Sequence, residues 1–141
     1  MICETNSIEV QHEGQTFSLR WHCISMLHTD HKLLLLALSE KELEMTKRFR
    51  HPSRTLQFAA GRYCAKRAIP GKEDEPLSGI TIGTGVWGQP YVHNAPLNIS
   101  IAHTHSKAIA ICTPPALPVG VDIEELDAKN DPLIQSQLTH L

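Results

Sequence analysis

The sequence predicts an α+β domain in which a largely antiparallel sheet packs against two helices. Two observations predict it. Helical signals concentrate between residues 39 and 69, and short apolar or alternating segments, separated by Gly, Pro and Asn, occupy most of the chain beyond residue 78. Strands that come after two helices, instead of alternating with them, argue for such an arrangement. With 141 residues the chain is one domain's worth, enough for a modest core.

Residues 17–25 alternate as a strand, with Phe17, Leu19 and Trp21 on one side. The run 33–38 is the most apolar segment, far too short to span a bilayer, and reads as a buried helix or strand. Ser39 followed by Glu42 has the form of a capping box and opens a helix over 40–50, with Leu43 and Phe49 among its buried side chains. Pro52 disfavours helix at His51 and suits a new first turn. A second helix then runs over 53–69 until Pro70-Gly71, with Leu56, Ala59, Ala60, Tyr63, Cys64 and Ala68 as its core stripe. Gly61 inside that helix costs about 1 kcal/mol against Ala, which points to a packing reason. Residues 72–76 form a charged loop, 79–83 a short strand and 83–85 a turn. Further strands cover 97–103, 108–112 and 120–124, before a polar break at 127–132.

Net charge is −2, so nothing offers an electrostatic grip on nucleic acid, and no segment reads as a membrane span. Residues 1–6 lack the basic start and apolar stretch of a secretory signal. Cys3, Cys23, Cys64 and Cys112 show no paired spacing, which fits reduced thiols and a cytoplasmic location. Nine histidines occur without a recognisable zinc spacing.

The chemistry concentrates late in the chain. In a strand over 120–124, Val121 and Ile123 face a core while Asp122 and Glu124 share the opposite face, about 6.5–7 Å apart. Two such carboxylates can grip one hard divalent cation, and the same pattern is also the ordinary charged face of a half-buried strand. Before it stand Trp87-Gly88-Gln89-Pro90-Tyr91-Val92, then Leu97-Asn98-Ile99-Ser100-Ile101-Ala102-His103, then Ala108-Ile109-Ala110-Ile111-Cys112.

That order resembles the 4′-phosphopantetheinyl transferases, specifically the larger two-lobed type acting on carrier proteins of peptide, polyketide, lysine and fatty-acid pathways. The family pattern runs G-K-P, an N-I-S-H-S-like strand, then G-[IV]-D-I-E. The resemblance reaches back through Leu38-Ser39-Glu40, Arg48-Phe49 and Gly61-Arg62. It implies two similar α+β lobes with coenzyme A between them, and transfer of the phosphopantetheine arm to a serine of an acyl or peptidyl carrier protein. It further implies that Asp122 and Glu124 are catalytic ligands of Mg2+. Gln89, Pro90, Ser100, Ala102, His103 and Asp122 would lie along the coenzyme, with His103 at its nucleotide phosphates.

Departures are specific. Gln89 stands where the family has Lys, and Ala102 where it has Ser before the His. Met45 and Glu42 occupy a helix that often carries a basic residue. A W-x-x-K-E-x-x-x-K helix of the second lobe has no counterpart after Glu125. Residues 1–126 are therefore expected to be an N-terminal lobe, and 127–141 a tail or the start of a second one. Two readings stay open: half of a transferase, completed by a second lobe in trans or by another copy, or a non-catalytic lobe that binds coenzyme A or a carrier protein. Arg62 and Lys66, four apart on one helix, are either solvated or phosphate ligands.

Overall fold

A computed structural model describes residues 3–125. Six strands form one antiparallel sheet: β1 (Cys3–His12), β2 (Gln15–Ser25), β3 (Ile82–Thr84), β4 (Pro90–Val92), β5 (Asn98–His103) and β6 (Lys107–Thr113), in the spatial order β1-β2-β6-β5-β4-β3. Helices α1 (His31–Leu36), α2 (Glu40–Thr46) and α3 (Pro52–Ala68) separate β2 from β3. The α+β expectation holds, with three helices instead of two.

The sequence reading missed β1, whose side chains from Thr5 to His12 are exposed except for half-buried Val10. An edge strand of that kind carries no apolar alternation strong enough to read. It is joined to β2 by Glu13 and Gly14, both at positive φ (50° and 76°), the signature of a two-residue type I′ hairpin. The apolar run 33–38 forms α1 and its exit, capped by Asp30 accepting from Lys32 N at 2.9 Å. Leu34, Ala37 and Leu38 are buried and Leu33, Leu35 and Leu36 are exposed, so only half of that run is core.

The capping box at Ser39 and Glu42 is present, but α2 ends at Thr46 and continues as tight turns to Phe49. Leu43 points to solvent, contrary to expectation. A single 3-10 turn at Leu77–Gly79 and the shorter β3 replace the strand expected over 79–83.

Helix α3 covers one face of the sheet. Ala59, Ala60, Cys64 and Ala68 pack with Ile24, Ala108, Ala110 and Cys112 in the main core. Small residues bring the helix close: a Cβ on Gly61 would sit 2.8 Å from Ile101 Cγ2. This is the packing reason the sequence pointed to. On the opposite face Leu19, Ile111 and Leu117 form a smaller cluster that Val119 and Val121 help to cover. The segment 120–124, expected as a strand, joins no ladder; it is an extended strap lying over this face. Strand β5 pairs with β6 along its whole length and with β4 only through Tyr91 and Asn98, and the strap is held to it by side chains instead of a backbone ladder.

Candidate functional site

The strap is fixed by side chains. Ser100 pairs with Ile111 across β5 and β6, so its hydroxyl lies on the face opposite α3. There Ser100 Oγ accepts from Val121 N at 3.0 Å. Four residues along, Thr104 Oγ1 donates to Glu125 Oε1 at 2.8 Å, Ser106 Oγ donates to the same oxygen, and His105 Nε2 stands 3.3 Å from Oε2. Residues 121–125 therefore run parallel to β5, with an anchor at each end. Hydrogen bonds from Ser106 and Thr104 hold the Glu125 carboxyl below its usual range.

Between the anchors, Val121 and Ile123 are half-buried while Asp122 and Glu124 are exposed. The alternation predicted from sequence survives without the predicted strand. Extended geometry separates i and i+2 by about 6.5–7 Å, so both carboxylates project on the solvent side of one short segment. Among the described residues no group of three or more His, Cys, Asp or Glu could hold a metal. Two carboxylates still fit Mg2+, which keeps several waters and binds through one or two carboxylates beside phosphate oxygens.

His103 is exposed at the end of β5, beside the 104–106 turn that anchors Glu125, and Ala102 precedes it half-buried. Because β4 runs antiparallel to β5 through Tyr91 and Asn98, the start of β4 lies toward the end of β5. Gln89 and Pro90 are thus on the same end of the sheet as His103. The β3–β4 turn is closed tightly: Gly85 N donates to Gln89 O at 2.7 Å, and Gly88 takes φ +82°. Gln89 Oε1 accepts from Trp87 N at 2.9 Å, and a Cβ on Gly85 would run into the Gln89 side-chain amide. The Gln89 amide therefore fills its own turn.

Helix α3 separates the two basic residues read together from sequence. Lys66 is fully buried, 2.5 Å from Glu42 Oε1 and donating to Ala37 O at 2.6 Å. A lysine so enclosed cannot reach a ligand phosphate. Arg62 instead reaches the end of β3, where Nη2 donates to Thr84 Oγ1 at 3.0 Å, with its guanidinium 4.3 Å from the Phe58 ring centre. Its Nε is buried without a hydrogen-bond partner. The structure thus brings Ser100, Ala102, His103, Gln89, Pro90, Asp122 and Glu124 toward one end of the sheet but on two faces. The Ser100 hydroxyl and the strap lie opposite α3, whereas His103, which pairs with Ala108, points to the α3 side from which Arg62 reaches that end. Sequence reasoning missed Glu125, Thr104 and Ser106; a third acidic residue directly after Asp122-Ile123-Glu124 was the one available signal. The lobe boundary expected at 126/127 and the whole of 127–141 lie outside the described residues.

No family model and no curated protein matches the chain. Among solved structures, the chain is similar to a holo-(acyl-carrier-protein) synthase from Bacillus anthracis str. Ames in complex with coenzyme A (3′,5′-ADP). The TM-score is 0.57 and the identity 24%, covering 67% of this chain and 92% of that one.

Proposed function

We propose that the chain is a phosphopantetheinyl-transferase lobe, a reading supported by the fold it shares with that synthase, and that it is of the larger, two-lobed type, for which the motif order from Gly88 to Glu124 is the support. It would serve transfer of 4′-phosphopantetheine from coenzyme A to a serine of an acyl or peptidyl carrier protein in the cytoplasm. One observation carries the reading: a strap anchored at Ser100 and Glu125 presents Asp122 and Glu124 at the end of the sheet where β5 finishes in His103, on a fold that a synthase in complex with coenzyme A shares. In the reaction the serine oxygen forms a bond to the β-phosphorus of coenzyme A. The pyrophosphate P–O bond breaks, 3′,5′-ADP leaves, and the serine proton passes to a base.

Asp122 and Glu124 would hold Mg2+, which supplies charge neutralisation at the pyrophosphate oxygens when bound. His103, exposed at the end of β5 on the α3 side of the sheet, would donate to a nucleotide phosphate reaching around that end. Backbone amides around Ser100 and Ala102, with Gln89 and Pro90 at the neighbouring turn, would line the coenzyme. A second acidic and lysine set would come from a second lobe or another copy.

A second reading, a non-catalytic lobe that binds coenzyme A or a carrier protein, is favoured by Gln89. Where the resemblance places a phosphate-binding Lys, a neutral amide is tied into its own turn.

Calorimetry with coenzyme A and Mg2+ tests both readings, together with intact-mass analysis of apo-carrier proteins incubated with the chain. Coupled binding of metal and coenzyme, lost in Asp122→Ala, supports the site. A mass increase of the carrier, alone or after addition of a second lobe, supports the transferase. Binding without transfer under both conditions supports the second reading, and an Asp122→Ala variant that binds both ligands as the parent does refutes the metal assignment.

A further inference from the structure

Away from the strap, a groove of ≈ 610 Å³ opens between α1 and the start of α3. Its apolar lining comes from Leu35, Phe49, Pro52 and Leu56, and its polar lining includes His31, Arg50 and His51. Leu35 is 40% exposed, and Leu33 and Leu36 beside it on α1 are 46% and 76% exposed. The charge at this place runs against the composition of the chain. Residues 47–54 contain Lys47, Arg48, Arg50, His51 and Arg54 and no acid, although the whole chain is net negative. Lys47 is paired with Glu44 at 2.8 Å, whereas among the described residues Arg48, Arg50 and Arg54 take part in no ion pair. The Arg54 guanidinium lies 5.2 Å from the centre of the Phe49 ring, which places positive charge directly against the apolar wall. Helix α3 adds to the same sign, since its first turn contains no acidic residue.

We propose that this groove docks an acidic amphipathic helix of a partner protein. Apolar side chains repeating at i, i+3 and i+4 would enter between Leu35, Phe49 and Leu56, and the flanking carboxylates would meet Arg50, Arg54 and His51. The concave, apolar floor selects this occupant. A bilayer surface cannot insert discrete side chains into a groove, and a nucleic acid brings no apolar stripe to fill it. The surface also has a defined place in the fold. Strand β2 leaves the sheet at Ser25 opposite Lys107, beside the turn that ties down Glu125, so α1 starts from the same end of the sheet as His103. A protein held in the groove is held at that end. Docking of this kind does not depend on the transferase reading.

The test uses the full chain and a fluorescein-labelled synthetic peptide of about 18 residues, five helical turns, with a leucine stripe and glutamates elsewhere. Anisotropy should show binding that weakens with added salt, and amide chemical-shift changes should concentrate at Leu35, Phe49 and Leu56. Arg50→Glu and Leu35→Ser, both at accessible positions, should each weaken binding about tenfold while thermal unfolding stays at the parental midpoint. A scrambled peptide of the same composition should bind at least about tenfold more weakly, and vesicles containing phosphatidylglycerol should leave the chain in solution. Equal binding of the scrambled peptide, preferential binding to vesicles, or shift changes located elsewhere would each overturn the proposal.

Discussion

Ser100 and Val121 are joined by a single hydrogen bond, from the Val121 amide to the Ser100 hydroxyl at 3.0 Å, and it crosses from a sheet face to a segment outside the sheet. Paired with the Glu125 anchor, it sets both the position and the register of the acidic strap. A shift of one residue would turn Asp122 and Glu124 inward and Val121 and Ile123 to solvent.

The anchors should therefore matter more for ligands than for folding. Ser100→Ala removes one bond, worth about 0.5–1.5 kcal/mol. Glu125→Gln keeps the shape but weakens acceptance from Thr104 and Ser106. Each variant should unfold near the parental midpoint yet bind Mn2+, a paramagnetic substitute for Mg2+, several-fold more weakly in the presence of coenzyme A. Electron paramagnetic resonance reads free Mn2+ directly. Unchanged Mn2+ affinity in both variants would mean that the strap does not need its anchors.

Glu42 and Lys66 make the opposite case, in which ionic groups serve the core. Glu42 accepts from Ser39 N, Ile82 N and Lys66 Nζ, so one carboxylate ties α2 to β3 and α3. Burial draws Lys66 below its ordinary value, against the pull of Glu42. Lys66→Met leaves the carboxylate buried without its cation and should cost about 3–5 kcal/mol in urea unfolding. Adding Glu42→Gln to that variant should recover about 1 kcal/mol, because a neutral amide replaces the stranded charge. A double variant less stable than the single one would show that Ser39 N and Ile82 N need the charge itself.

His22 gives the fold an acid limit. It is 4% exposed and stands edge-on to Tyr63. Burial first, then the charges of Arg67 and Arg20, lowers its pKa from 6.5 to about 4. Between those values the unfolded chain binds a proton that the folded chain refuses, so stability rises with pH across this window and is lost on acidification. The full effect is on the order of 3 kcal/mol, complete near pH 4. His22→Gln should flatten the pH dependence of unfolding between 6.5 and 4 relative to the parent. Parallel curves for the two proteins would assign the acid sensitivity to other groups.

Local signals in this chain were legible and non-local ones were not. The Ser39–Glu42 box and the start of α3 at Pro52 depend on neighbours within a turn, and both stand as read. That Glu42 would also meet a lysine on another helix depends on tertiary packing, which no short window reports. Residues 120–124 show the limit most clearly. Alternation correctly sorted Asp122 and Glu124 from Val121 and Ile123, but it reports faces and not ladders. The segment that packs on the sheet is therefore indistinguishable in sequence from one that pairs within it. At Gln89 the residue type was read as a missing cation; its role in closing the turn needed the positions of Trp87 N and Gly85.

The placement of β6 between β2 and β5 has a consequence for how the molecule is made. Residues 20–25 hydrogen-bond to residues 107–112, and everything from α1 to β5 is synthesised in the interval. At ordinary elongation rates the β1–β2 hairpin waits on the order of ten seconds for its central partner. Throughout that wait one edge of β2 and the apolar residues Leu19, Trp21 and Ile24 have no sheet to join. The nascent chain is thus most exposed to chaperones and to mispairing before β6 emerges, and a premature stop after β5 would leave a hairpin with no sheet to enter.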